Sequence, residues 1–232
     1  MMGFEGFEAL VRSFFPETDT RKMEQFKKME DIYREWNAKI NVISRKDMDS
    51  FYDHHVLHSL ALARYFSLLG EDYSGTVPHT VLDLGTGGGF PGIPLAIMYP
   101  SWHFTLCDSI GKKTLVAKEA AAALGLENVE IVCSRAEELE GEFDLTVSRA
   151  VATLDRLYQW AWNKTKTSLF CLKGGDVNAE LSDFLRISHI EARHVRVWEP
   201  DCFPNDDYFA EKFVIQIEKN YICSPKTAKY KK

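Results

Sequence analysis

No stretch of this chain approaches the roughly 18 consecutive apolar residues that a membrane span requires. The opening Met1-Met2-Gly3-Phe4-Glu5 has neither the basic region nor the apolar core of a secretion signal. The five cysteines, at positions 107, 133, 171, 202 and 223, form no Cys-x-x-Cys pair. That spacing excludes the common zinc and redox motifs and suits reduced, buried thiols in a cytoplasmic protein. An excess of positive charge is missing too. The net charge of −6 argues against a general nucleic-acid coating protein, whose affinity comes from phosphate contacts. It leaves room for an enzyme with a local basic face. Internal repeats and low-complexity tracts are also absent.

What is present fits one soluble globular domain, with a small appendage at most. The 232 residues are 45% hydrophobic and 27% charged, ordinary values for such a chain. Basic residues cluster at Lys27-Lys28, Arg45-Lys46 and Lys112-Lys113, and at Lys226, Lys229, Lys231 and Lys232. Each cluster reads first as a solvated face.

The chain is organised around Val81-Leu82-Asp83-Leu84-Gly85-Thr86-Gly87-Gly88-Gly89-Phe90-Pro91-Gly92. The apolar run 81–84 reads as a buried strand, and the apolar segment 93–99 as the start of a helix. Glycines at such a turn let backbone N–H groups approach a ligand, because no Cβ stands in the way. Gly87-x-Gly89-x-x-Gly92 matches the dinucleotide pattern, which is weak alone. Pro91 and Pro94 fall where a phosphate-binding helix needs free donors. Asp83 precedes the first glycine by two residues. An acid followed by such a turn suits a cofactor with a cationic amino-acid end and no pyrophosphate, which describes S-adenosylmethionine.

Before this motif, residues 1–76 read as a helical extension. Met23, Phe26, Met29, Tyr33, Trp36 and Ile40 recur at three- and four-residue steps and paint one apolar stripe, read as core packing. A second helix is expected over 48–69, with Phe51, Val56, Leu60, Ala63 and Phe66 inward. It carries His54, His55 and His58, which have no partner at a standard metal-ligand spacing and read as ordinary helix or interface residues. Gly70 to Thr76 is a polar break. From residue 77 to 232 strands alternate with helices, the pattern of a parallel sheet covered on both faces. Strands are expected at 81–84, 103–107, 129–133, 145–148, 168–172, 192–197 and 212–218. Helices are expected at 112–124, 154–163 and 178–187. Residues 224–232 read as a frayed end.

Ligands of open α/β sheets sit beyond the carboxyl ends of the strands, and polar groups collect there. The first strand ends at Asp83 and Gly85. The second ends at Asp108, placed to accept from both ribose hydroxyls. The third leads to Ser134-Arg135-Ala136-Glu137-Glu138, able to line an adenine edge. The fourth ends at Ser148-Arg149-Ala150, and the fifth at Lys173-Gly174.

Leu82-Asp83-Leu84-Gly85-Thr86-Gly87-Gly88-Gly89-Phe90-Pro91-Gly92-Ile93-Pro94-Leu95 resembles the first motif of the glucose-inhibited division protein B family. These are the small-subunit (16S) ribosomal RNA guanine-N7 methyltransferases. The resemblance continues through Trp36-Asn37 to Asn41, His55 to Leu60, Asp108 to Lys113, Arg135-Ala136-Glu137, Ser148 to Val151, and Leu172-Lys173-Gly174. His58 stands where the family usually has Asp, and His54 where it often has Arg. The family's basic Pro-Arg-rich tail is replaced by a lysine-bearing one. The resemblance implies a class I, Rossmann-like S-adenosylmethionine methyltransferase sheet, an α/β fold with helices on both faces and an N-terminal helical extension. It implies cofactor contacts at Gly85, Phe90, Ala136, Glu137 and Arg149, to which the residue-level reading adds Asp83, Gly87 and Asp108.

The expected reaction is methylation of guanine N7 in 16S rRNA, as naked RNA or in the small ribosomal subunit, without membrane association, bound metal or a required oligomer. Guanine N7 carries an in-plane lone pair and no proton, so no general base is needed and catalysis is mostly positioning and electrostatics. Arg149 is expected to contact the cofactor and RNA, and Lys173 the guanine O6 or a phosphate. Arg45, Lys46 and His55 are candidate RNA contacts. The competing readings are a methyltransferase for a small molecule or protein, an NAD-dependent dehydrogenase, and a non-enzymatic RNA-binding module.

Overall fold

Asp19 begins the long N-terminal helix by accepting a hydrogen bond from the Lys22 amide at 2.8 Å, a side-chain cap for an otherwise unsatisfied donor. In the computed structural model, which describes residues 2–200 and 208–219, this helix is α2 (Thr20–Lys39), preceded by α1 (Phe4–Phe14). Its expected stripe is inward: Met23, Phe26, Met29 and Tyr33 are all buried. Cys202, Pro204, Cys223 and the lysines from 226 to 232 lie outside the described residues.

The single helix expected over 48–69 is three pieces. A 3-10 turn (Asp47–Ser50) runs into a π-helical turn (Phe51–Leu57) and then α3 (His58–Leu69). A π turn takes in an extra residue and rotates the helix beyond it. Phe51, Val56, Leu60, Ala63 and Phe66 still face inward.

The sheet contains β1 (Thr80–Leu84), β2 (His103–Asp108), β3 (Val129–Cys133), β4 (Phe143–Arg149), β5 (Thr165–Gly174), β6 (Val195–Trp198) and β7 (Lys212–Glu218). Their order is β3-β2-β1-β4-β5-β7-β6. The first five are mutually parallel. β7 runs antiparallel to β5 and β6, so the wholly parallel sheet expected from the alternation is instead mixed at this edge. Strand order reverses between β1 and β4, where such sheets bind ligands.

Side-chain alternation on β1 divides the core. Val81 faces a cluster shared with α1, α2, α3, α4 (Gly92–Met98) and α5 (Gly111–Ala123). Leu82 and Leu84 face a second cluster with α6 (Leu154–Ala161) and α7 (Val177–Ser188). Helices therefore cover both faces, and those before residue 77 share a continuous core with the sheet. Cys107 and Cys171 are buried, but Cys133 is exposed. It ends β3, an edge strand with only one neighbour, so the expectation of buried thiols fails there.

Candidate functional site

Backbone donors of the glycine turn are almost all engaged within the protein. Gly85 and Thr86 donate to the Cys107 carbonyl at 2.8 and 3.0 Å, Gly89 and Phe90 to the Thr86 carbonyl at 2.9 Å, and Ile93 to Gly89 at 2.8 Å. Gly87 donates to Asp108 Oδ2 at 2.9 Å. Gly92 donates to Asp83 Oδ2 at 2.8 Å. Pro91 has no donor, and the Gly88 amide donates to no group among the described residues. Gly85 must be glycine for two reasons: its φ is +73°, and a Cβ would collide with Val151.

Asp83 lies under the turn and does not line the cavity above it. Thr86 Oγ1 also donates to its Oδ2, at 2.6 Å, and the residue is fully buried. Burial raises its pKa to about 7, against the lowering influence of Thr86, Gly92 and the Arg149 charge. Its placement corrects the expectation of a direct cofactor contact: one carboxylate oxygen ties the start of the turn to its end. Asp108, by contrast, faces the cavity. Its oxygens accept from Gly87 and from Ile110 at 2.9 Å, and carboxylate lone pairs remain beyond those two bonds.

The N-terminal segment forms the opposite wall. Phe90 is packed between Tyr33, with ring centroids 4.9 Å apart, and His55, at 5.5 Å. The Arg149 guanidinium lies 5.0 Å from the Phe90 centroid, a cation–π arrangement. Its Nη1 donates to the His54 carbonyl at 3.3 Å. Its Nη2 lies 3.2 Å from His55 Nδ1. Guanidinium only donates, so Nδ1 is the acceptor and the proton sits on Nε2. Burial, followed by the Arg149 charge, lowers the His55 pKa to about 3, so the ring is neutral. The π turn places His54 and His55 along this wall, and the first residue of α3 adds His58.

Residues 150–153 form the third side. Ala150 has φ +52°, an uncommon conformation for a residue with a Cβ. Lys173 Nζ donates to the Ala152 carbonyl at 2.5 Å and to Glu180 Oε1 at 2.7 Å. The same Glu180 oxygen accepts from the Leu154 amide at 2.7 Å. Lys173 is only 8% exposed, and this pairing offsets the cost of burying its charge.

These walls enclose a cavity of about 1270 Å³, lined by Gly85, Gly87, Phe90, Asp108, Ala136, Glu137, Arg149 and Lys173 among others. Of the expected cofactor and catalytic residues, only Asp83 is absent from the lining. Arg45 and Lys46 are exposed and lie outside it, whereas His55 is part of it. Sequence reasoning missed Tyr33, whose role at the turn is hidden inside the apolar stripe of α2. It also missed Glu180, which no local motif marks.

Residues 22–197 match the family described as rRNA small subunit methyltransferase G. A ribosomal RNA small subunit methyltransferase G from Christiangramia forsetii is 40% identical over 220 residues, covering 91% of this chain and 97% of the relative. One from Porphyromonas gingivalis is 43% identical over 217 residues, covering 90% and 92%. Among solved structures, magnesium protoporphyrin IX methyltransferase from Synechocystis PCC 6803 with bound SAM superposes with a TM-score of 0.57 at 14% identity, over 92% of this chain and 97% of that one. A human methyltransferase 10 domain containing protein gives 0.54 at 16% identity, over 69% and 81%. At such identities these two speak for the fold alone. A matched family spanning most of the chain and relatives at 40% identity and above settle the membership: this chain belongs to the rRNA small subunit methyltransferase G family.

Proposed function

We propose that this protein transfers a methyl group from S-adenosylmethionine to N7 of a guanine in 16S rRNA. Family membership carries the reading, and the cavity's chemistry supports it. Five basic and three acidic side chains line the cavity, although the whole chain carries −6. At about 1270 Å³ it exceeds the roughly 300–1,000 Å³ of common small-ligand sites, leaving room for a base beside a cofactor.

The residues fit the cofactor. Asp108 keeps lone pairs for two ribose hydroxyls, Ala136 and Glu137 line the adenine side, and Gly85, Gly87 and Phe90 form the floor. S-adenosylmethionine supplies an electrophilic methyl on a sulfonium centre. Arg149 uses two of its five donors on His54 and His55, which leaves three for the cavity. It holds the cofactor and the approaching RNA. Lys173 serves first as a positioning residue, bracing residues 150–153 through Ala152 and Glu180. Neutral His55 has its Nδ1 engaged by Arg149, consistent with a reaction that needs no general base.

The reading places the protein in the cytoplasm, acting on free 16S rRNA or the small subunit, with residues 1–76 as an extension of a methyltransferase domain at 77–232 and no oligomer required. No described helix is long and apolar enough to cross a membrane. The deciding experiment incubates the protein and S-adenosylmethionine with 16S RNA and with small subunits, then maps 7-methylguanosine by chemical strand scission. A new scission site supports the proposal. Methyl transfer only to a small molecule or protein overturns it.

A further inference from the structure

We propose that Tyr33 is a positioning residue for the cofactor: by holding the Gly88 carbonyl, it fixes the Gly88 amide as the turn's donor to the cofactor's carboxylate. The inference rests on the S-adenosylmethionine reading and extends the site into helix α2, where the apolar pattern indicates only core.

Two observations combine. The first is the pattern of engaged amides. From Gly85 to Ile93 every backbone N–H except that of Gly88 is hydrogen-bonded to a described residue, and Gly88 lines the cavity. A site built to receive an anionic group retains one donor for it, since a buried donor left without a partner is costly. The second is how Gly88 is held. On its N-terminal side, the Gly87 amide is fixed by Asp108. On its C-terminal side, Tyr33 Oη donates to the Gly88 carbonyl at 2.6 Å. Val42 closes the remaining side: a Cβ on Gly88 would lie 3.0 Å from it. Glycine is the residue with the widest backbone freedom, and here the protein removes that freedom from both ends.

Tyr33 is fully buried, and its ring rests on Phe51 and Phe90 at 5.4 and 4.9 Å. Tyr33→Phe keeps the ring and deletes the hydroxyl, so that the Gly88–Gly89 peptide is held only through the Gly89 amide on the Thr86 carbonyl. A matched control is Tyr65→Phe, which deletes another buried tyrosine hydrogen bond, to Gln216 at 2.8 Å, outside the cavity lining.

The test is calorimetric titration of the full chain with S-adenosylmethionine. Tyr33→Phe is expected to raise Kd about tenfold, the size of one mispaired buried polar group. Tyr65→Phe is expected to leave Kd unchanged while lowering Tm about as much as Tyr33→Phe does. A wild-type Kd in Tyr33→Phe, or equal loss of affinity in both variants, overturns the inference. If Tyr33→Phe does not fold, the unaltered protein labelled with 15N-glycine decides: a Gly88 amide resonance that does not move at saturating cofactor overturns it, and a downfield shift supports it. Failure of the unaltered protein to bind S-adenosylmethionine is a separate outcome that overturns the functional reading itself.

Discussion

Two loops meet at Gly85, and they are held in opposite ways. The turn from Gly85 to Gly92 is fixed largely from nearby: its own amides, the Cys107 carbonyl and two carboxylates at adjacent strand ends. The loop 150–153 is fixed from afar, by a lysine on β5 and a glutamate on α7. Val151 sits directly over Gly85, so each loop limits the other. The loop built on backbone geometry has no room for a Cβ at Gly85, whereas one built on an ion pair tolerates substitution that keeps the pair balanced.

The contact between the loops is the most sensitive point. Gly85→Ala places a methyl against Val151 at a positive φ, adding overpacking to backbone strain. Methyl transfer is expected to fall at least about 100-fold, since small misplacement of reacting groups is enough for that loss. Near-wild-type turnover would show that the loops do not constrain one another.

Asp83 tests how the first loop is tied. Its carboxyl is raised to about 7 in the folded protein from an ordinary value of 3.8. Between those values the unfolded chain gives up a proton that the native state keeps, so wild-type stability falls as pH rises from about 4 to about 7. Asp83→Asn retains an oxygen acceptor and lacks the titration. Its stability relative to wild type should improve across that window, with a ceiling of about 4 kcal/mol at roughly 1.36 kcal/mol per pH unit. Urea unfolding at several pH values reads this directly, and parallel curves would refute it.

The second loop should respond to balance. Lys173→Met leaves Glu180 without its cation and is expected to cost about 2 kcal/mol, below the full range for a buried pair because Glu180 is 23% exposed. Adding Glu180→Gln should restore part of that loss. If the double variant is as unstable as the sum of the singles, the pair is not the brace. The smallest effect comes from Asp176, which caps α7 by accepting from Ala179 at 3.2 Å. Asp176→Ala should cost about 1 kcal/mol and loosen Glu180 one turn later. A Tm unchanged from wild type would remove the cap from the account.

The same contrast explains which features were legible in the sequence. The glycine turn announces itself because its backbone demands unusual residues, and Asp108, Ala136, Glu137 and Arg149 come at strand ends, where the sheet must present them. Asp83 is the right type of residue but lies beneath the turn, because strand alternation points it, like Val81, to the face covered by α4, whose first amide it holds. Lys173 and Glu180 form a tertiary pair without a local pattern. The π turn at Phe51–Leu57 keeps the apolar stripe intact, so periodicity alone gives no hint of it. Tyr33 satisfies the stripe with its ring and the site with its hydroxyl, and only the ring leaves a mark in the pattern.

A basic throat within an acidic body has a kinetic consequence. Far from the entrance, RNA meets a repelling field, and only within about one Debye length, near 10 Å at about 0.1 M salt, does the lining's excess of cations, five against three carboxylates, take over. Added salt first screens the repulsion and then the attraction, so the rate of RNA capture should rise and then fall with ionic strength.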